Sequence, residues 1–505
     1  MKKAVKPIKS VREYIEILEQ NNDLVRIKEE VDWNLEMSAI ARLAYDYPAP
    51  APLFEKIKDC YPGMCALGAP VGLSPGKYPY ARVALSLGLA IDTPAMEIVD
   101  AWSYLPDVTP IPPRTVTSAP CKENILPKGQ FDLTKMPFPF IHVGDGGRYT
   151  NTYGMFVVAT PDGRWTNWAI TRCMLVGPET MAIAIIGWTG KFVQDMGTIW
   201  REWKAVGQDM PYALCLGVDP GIMMIAGYPL PQGNEDAVMG GWYGEPIDLI
   251  KCETSDLLVP ATSEMIIEGF QSISDIVPEA PFGEYGGYVW PGSPKAAPRS
   301  DVHCVTYRNN PIIPWTTAGY PPEENHTNWG ICIAASIKNA LRKANMPIKD
   351  VFIPMEAAVH WTVVTVDRAK QTDETDNKLC ERIARVVYGT RAGSFISNVL
   401  IMDSDIDLSL IDEVVWAFCT RHHPKNRIII PDQLVIPLTS YLTEEEKAAA
   451  KTDKAVYNCL MPTTKMGPEA QHIEASFKSY PEDVKKKAVE IWRKLGYERK
   501  TGVWR

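Results

Sequence analysis

The chain has 505 residues, 46% of them apolar and 22% charged, with a formal net charge of −9. That length exceeds one ordinary hydrophobic core and implies two or three domains of a globular protein. The acidic balance excludes a general nucleic-acid binder, which needs a basic face, and no apolar run reaches the ~18 residues of a membrane span.

The opening MKKAVKPIKS is basic, but no apolar signal core follows it. The eleven cysteines are dispersed, with no CxxC, which suits reduced thiols. Both features lead to the expectation of a cytoplasmic protein. Ser10 and Glu13 form a capping box for a first helix, with Val11, Tyr14, Ile15 and Leu18 on its apolar face. A strand follows at 24–27 and a helix at 36–45. The proline-rich stretch 104–140 reads as a long covering loop.

From about 149 to 310, short segments rich in Val, Ile, Thr and aromatics alternate with Gly, Pro and Asn turns. Strands are predicted at 153–159, 165–174, 223–228 and 302–307, the pattern of a barrel or sandwich. A helical insertion over 193–206 interrupts them. A long helix is predicted over 328–343. Beyond it, strands at 361–366, 399–402 and 427–430 alternate with helices at 377–388 and 410–420. That alternation is an α/β unit with a parallel or mixed sheet. Pro481 opens a last helix and Gly496 closes it.

Three constellations bear on chemistry. Residues 277–287, VPEAPFGEYGG, hold Glu279 and Glu284 in a run that prolines and glycines keep out of helix. Two close carboxylates repel, so one of them can keep a proton and act as an acid; a surface turn with solvated glutamates is the plainer reading. Residues 165–172, WTNWAITR, carry an arginine on a predicted strand. Strand alternation sets Asn167, Ala169 and Thr171 on one face and Trp168, Ile170 and Arg172 on the other. An inward arginine needs partners, and the acidic loop offers them. Together they could hold a substrate carboxylate, or equally form a structural ion pair on a rim. Asn167, Asp195 and Glu235 are hard oxygen donors suited to Mg²⁺ or Mn²⁺, although spacing alone carries little weight for that set.

WTNWAITR, IHVGDGGRYTNTYGM, VPATSEMIIEG and PEAPFGEYGGY together resemble the UbiD family of decarboxylases, nearest its ferulic-acid or cinnamic-acid branch. TYRNNPI, ENHT and SYPEDVKKKAVEIW extend the resemblance over residues 10–497. It implies a reversible carboxy-lyase of aromatic, heteroaromatic or α,β-unsaturated acids. Such an enzyme uses prenylated flavin mononucleotide (FMN), Mn²⁺ or Mg²⁺, and K⁺, with the cofactor supplied by a separate flavin prenyltransferase. The implied α+β and α/β fold has an N-terminal segment over 1–120, a split β-barrel flavin domain over 121–325 and a connecting helix over 326–346. An α/β oligomerisation domain over 347–460 and a tail over 461–505 complete it, in a homodimer or homohexamer.

By motif, the resemblance makes Arg172, Glu279 and Glu284 catalytic. It assigns Asn167, Ala169, Ile170, Thr171, Arg172, Gln194, Tyr228, Pro229, Glu235 and Arg391 to the cofactor. Asn167, Asp195 and Glu235 fall to the metal, although the family usually has histidine where Asp195 stands. Trp168, Ala226 and Tyr228 mark the potassium neighbourhood, and Trp329, Phe395, Ile436 and Leu438 the substrate wall. Alternative readings are a carboxylase working toward CO₂ fixation, a non-catalytic flavin-binding or assembly subunit, and an ordinary flavin oxidoreductase on the same barrel.

Overall fold

The structure, a computed structural model, describes residues 7–230, 233–289, 295–372, 375–462 and 475–497. Its first helix, Val11–Gln20, is capped by Ser10, whose hydroxyl accepts from the Glu13 N–H at 3.1 Å. The Glu13 carboxylate accepts from the Lys9 N–H rather than closing the predicted box on Ser10. Val11, Tyr14, Ile15 and Leu18 are buried as the periodicity predicts. They cover a four-stranded sheet ordered Leu24–Val31, Ala51–Ile57, Cys65–Gly68, Ile312–Trp315. The last strand arrives from more than 240 residues down the chain, so this layer is not built from the N-terminal segment alone.

The middle of the chain forms a nine-stranded antiparallel sheet. Its path runs Tyr149–Asn151, Cys173–Gly177, Thr180–Ile183, Lys295–Tyr307, Met265–Glu279, Met210–Leu216, Met155–Ala159, Thr166–Ala169, and Asn124–Pro127 pairs off it with Lys295–Tyr307. Phe156 and Val158 pack into one core while Met155 and Val157 pack into another, so the period-two pattern buries both faces. Thr166–Ala169 and Cys173–Gly177 lie six strand spacings apart on this path. Flat, that is ~29 Å, whereas the chain from Ala169 to Cys173 reaches at most ~14 Å. The sheet therefore curls into a barrel, and Ile170, Thr171 and Arg172 bridge its split. Asn151 Nδ2 ties the bridge by donating to Thr171 O at 2.8 Å.

Three expectations change here. Residues 165–174 are not one strand: the barrel breaks them at 170–172, so alternation does not decide where Arg172 points. Residues 223–228 are not a strand but the end of a helix, Pro220–Ala226, which Asp219 starts by accepting from the Ile222 N–H at 3.0 Å. The stretch 104–140 is not one loop, since Arg114–Val116 pairs with Asp248–Lys251 and Asn124–Pro127 joins the barrel.

The connecting helix is Glu324–Lys343. It leads to a five-stranded mixed sheet ordered Ile348–Phe352, Trp361–Val366, Asn398–Asp403, Lys451–Cys459, Arg427–Leu434, with helices Asp376–Tyr388 and Ile411–Arg421 in the crossovers. The last helix, Glu482–Lys494, follows Pro481, and Gly496 stands past its end at φ 73°. Among the described residues no helix is long and apolar enough to cross a membrane.

Candidate active site

The barrel's split opens onto a cavity of about 520 Å³, within the ~300–1,000 Å³ of small-molecule and cofactor sites. The connecting helix and the C-terminal domain complete its wall. Arg172 lies at its floor because the bridge 170–172 crosses there. Its Nε and Nη2 donate to Glu279 Oε1 and Oε2 at 2.8 and 3.0 Å, and its Nη1 donates to Glu284. Glu279 ends the long strand Met265–Glu279, and Glu284 sits on the short strand Gly283–Glu284. All three side chains are largely buried. Burial works against the Arg172 charge, but Glu284 and Glu279 more than offset it and hold the guanidinium above its ordinary value. Three of five guanidinium N–H groups are thereby engaged, which leaves two able to bind a further acceptor.

Sequence reasoning did not single out Tyr149 or Phe282. The Tyr149 hydroxyl donates to Glu279 Oε1 at 3.3 Å, and the Phe282 ring lies 5.2 Å from the guanidinium carbon. Both stand inside the motifs quoted above, but nothing local in the sequence ties them to Arg172. Lys191, on the exposed rim of the cavity, and the aromatic Tyr285 were missed in the same way.

A second corner brings Asn167, Asp195 and Glu235 to the same cavity. Asn167 Nδ2 donates to Glu235 Oε1 at 3.2 Å, while the buried Asn167 Oδ1 has no hydrogen-bond partner. Burial, with Asp195 adding to it, pushes the Glu235 carboxyl up to about 7. Asp195 Oδ2 accepts from Arg391 Nη2 at 2.5 Å, and Arg391 Nη1 also donates to Leu230 O at 2.8 Å. Among the described residues no three His, Cys, Asp or Glu side chains converge as a metal cluster; the set here is two carboxylates and an amide. An orphaned amide oxygen beside a buried carboxyl that resists ionisation, Glu235, fits a hard divalent cation. Helices Asp195–Ala205 and Glu235–Tyr243 both start at this corner, and their N-termini favour a phosphate.

Ala169, Ile170, Thr171, Gln194, Tyr228 and Pro229 line the cavity between the two corners, together with Trp168 and Ala226. The far wall is apolar. Trp329 and Phe395 meet edge to face at 4.6 Å, Tyr285 meets Trp329 at 5.5 Å, and Ile436 and Leu438 complete it. Of the catalytic and binding residues expected from the sequence, all but Glu279 line this one cavity; Glu279 stands behind Arg172.

Comparison with known proteins agrees over the whole fold. Models of the 3-octaprenyl-4-hydroxybenzoate carboxy-lyase N-terminal, Rift-related and C-terminal domains match residues 15–102, 114–321 and 326–459. Pyrrole-2-carboxylic acid decarboxylase of Pseudomonas aeruginosa is 38% identical over 495 residues, 96% of this chain and 98% of that protein. Ferulic acid decarboxylase 1 of Saccharomyces cerevisiae is 36% identical over 513 residues, 97% of this chain and 99% of that protein. Among solved structures, the UbiD-class enzyme HmfF from Pelotomaculum thermopropionicum in complex with FMN superposes with a TM-score of 0.79 at 24% identity, covering 95% of this chain and 99% of that one. The apo 3,4-dihydroxybenzoic acid decarboxylase of Klebsiella pneumoniae superposes with a TM-score of 0.80 at 23% identity, covering 96% and 99%.

Proposed function

The chain belongs to the UbiD family of carboxy-lyases, and from that premise we propose that it decarboxylates flat aryl, heteroaryl or arylacrylic acids with prenylated FMN bound in the central cavity. That it is a decarboxylase follows from the family. The observation that carries the finer reading is the buried Glu279–Arg172–Glu284 set at the cavity floor. Arg172 offers its two remaining N–H groups to the substrate carboxylate and so orients the bond to be broken. Glu279 keeps the guanidinium charged and fixed. Prenylated FMN, when bound, supplies the sink for the electron pair left by departing CO₂. Glu284 then gives its proton to the carbon that lost CO₂, and solvent restores it. Microscopic reversibility lets the same groups work toward carboxylation at high CO₂.

Asn167, Asp195 and Glu235 would hold Mn²⁺ or Mg²⁺ against the flavin phosphate, with Arg391 and Gln194 beside it. The backbone near Trp168, Ala226 and Tyr228 would take K⁺. A flavin prenyltransferase would supply the cofactor. Exposed Val415, Trp416, Ile429, Leu434 and Tyr441 on the C-terminal domain support a homo-oligomer.

The apolar wall of Trp329, Phe395, Ile436 and Leu438 supports unsubstituted rings, which stack there. Phenolic acids would face it with hydroxyls, at ~1–3 kcal/mol for each one left unpaired. Asn325 and Asn328 line the cavity too, but their amide groups already donate to Glu323 and Tyr153.

The test is expression with and without a flavin prenyltransferase, followed by the absorbance and mass of the bound flavin and CO₂ release from a panel of acids. Turnover is expected only with the prenylated cofactor, and full activity with plain FMN overturns that part. In competition, cinnamate-like or fused-ring acids are expected to exceed di- and trihydroxybenzoates in kcat/KM. The reverse order overturns the substrate reading alone.

A further inference from the structure

Glu284 stands on a strand of two residues, Gly283–Glu284, paired with Tyr288–Val289. A hairpin that short is marginal by itself, so the direction of its side chains comes from outside it. Two buried side chains hold the peptides on either side of the acid. Ahead of it, the Gly283 N–H donates to Asp145 Oδ1 at 3.0 Å. The other Asp145 oxygen accepts from the His142 N–H at 2.9 Å, and the Asp145 side chain has no exposed surface. The His142 ring closes on this point, so that a Cβ at position 283 would run into it. Behind the acid, Tyr285 O lies 2.8 Å from His326 Nε2. His326 is 1% exposed. Its Nδ1 lies 3.2 Å from the Glu323 peptide N–H and 3.2 Å from Glu323 Oε1. A carbonyl oxygen only accepts, so the imidazole proton is on Nε2, where it reaches Tyr285 O, and Nδ1 accepts from the Glu323 N–H. Burial keeps the ring neutral, with its pKa lowered to about 4.

The two holds come from different layers. Asp145 lies in the loop ahead of the barrel strand Tyr149–Asn151, and His326 in the first turn of the connecting helix. Neither lines the cavity. We propose that Asp145 and His326 are positioning residues for the acid: by fixing the peptides before and after Glu284, they confine its carboxyl to an arc between Arg172 and the reacting carbon. This rests on the reading of Glu284 as proton donor. In the step they serve, the Glu284 O–H bond breaks and a C–H bond forms where CO₂ has left. A displacement of ~1 Å costs such a transfer about 10²-fold.

The experiment uses holoenzyme co-expressed with a flavin prenyltransferase, in the variants His326→Leu, His326→Gln and Asp145→Ala, with Glu284→Gln as reference. Cofactor content is read by absorbance and mass, and kcat, KM and the solvent deuterium isotope effect on kcat are measured. His326→Leu and Asp145→Ala are expected to lower kcat about 10–100-fold, with KM within about twofold and cofactor content unchanged. Their solvent isotope effect is expected to rise, because proton delivery becomes limiting. His326→Gln, which keeps an N–H for Tyr285 O, is expected to recover most of the loss. If His326→Leu does not retain cofactor, Asp145→Ala decides by the same two readouts. Wild-type kcat and isotope effect in the positioning variants, beside an inactive Glu284→Gln, overturn the inference and leave the proton donor standing. An active Glu284→Gln overturns the proton-donor reading and this inference with it.

Discussion

Arg172 faces two carboxylates, and on the proposed reading a substrate carboxylate is a third. Glu284 makes a single bond to Arg172 and Glu279 makes two, so Glu284 is the freer of the two carboxyls to serve as the proposed proton donor. Glu284→Gln keeps the shape and the hydrogen-bonding capacity but has no proton to give. Turnover is expected to fall about 10²–10⁴-fold, with flavin content unchanged. A rate within about threefold of wild type in a CO₂-release assay would assign the proton to another group. At the other corner, Asp195 commits one oxygen to Arg391, and on the proposed reading its other oxygen serves the metal. Asp195→Ala is expected to lower metal content, by elemental analysis, and flavin content together. If both stay at wild-type levels, Asp195 is not a ligand.

At the scale of elements, the site depends on short pieces whose ends are tied by side chains. The helix Pro220–Ala226 carries Ala226 and, just past its end, Tyr228 on the cavity wall. Asp219 starts it and also accepts from the Tyr243 hydroxyl. Asp219→Ala is expected to cost about 0.5–2 kcal/mol, read as a lower denaturant midpoint, with Asp219→Asn retaining most of it. An unchanged midpoint in the alanine variant would mean that packing alone holds the helix. The apolar run 223–228 suits strand or helix equally by period, and the Asp219-Pro220 pair ahead of it is the helix-start signal that separates the two. The stretch 165–174 carries no such signal. Its residues suit a strand throughout, and only closure of the barrel breaks it after Ala169.

At the scale of the whole molecule, Lys454 links the C-terminal sheet to the site. It is 1% exposed on the strand Lys451–Cys459, and its Nζ donates to Gly393 O at 2.7 Å in the turn between Arg391 and Phe395. Burial lowers its pKa from 10.5 to about 7. In the unfolded chain the lysine takes its proton near 10.5, whereas the folded protein refuses one until about 7. The unfolded state therefore binds more protons across that window, and this residue makes stability rise with pH from about 7 toward 10.5. Lys454→Met is expected to raise the apparent Tm at pH 7 and to flatten the increase between pH 7 and 10, measured at one scan rate. An identical slope in wild type and variant would place the charged form inside the fold.

The amino-acid sequence by itself determined the order of the layers, the amphipathic first helix, the long connecting helix and the α/β rhythm beyond it, because hydrophobic period and caps are local properties. It also carried, through motifs that resemble a family, the residues gathered at the cavity. Only the tertiary structure decided how they meet. Arg172 and Glu279 are 107 positions apart, and their pairing depends on a barrel whose register is set by strands from 124 to 307. His326 reaches Tyr285 only because the connecting helix lies beside the acidic hairpin. Strand pairing and helix packing couple residues without regard to their separation in the chain, and no window of local sequence contains both partners.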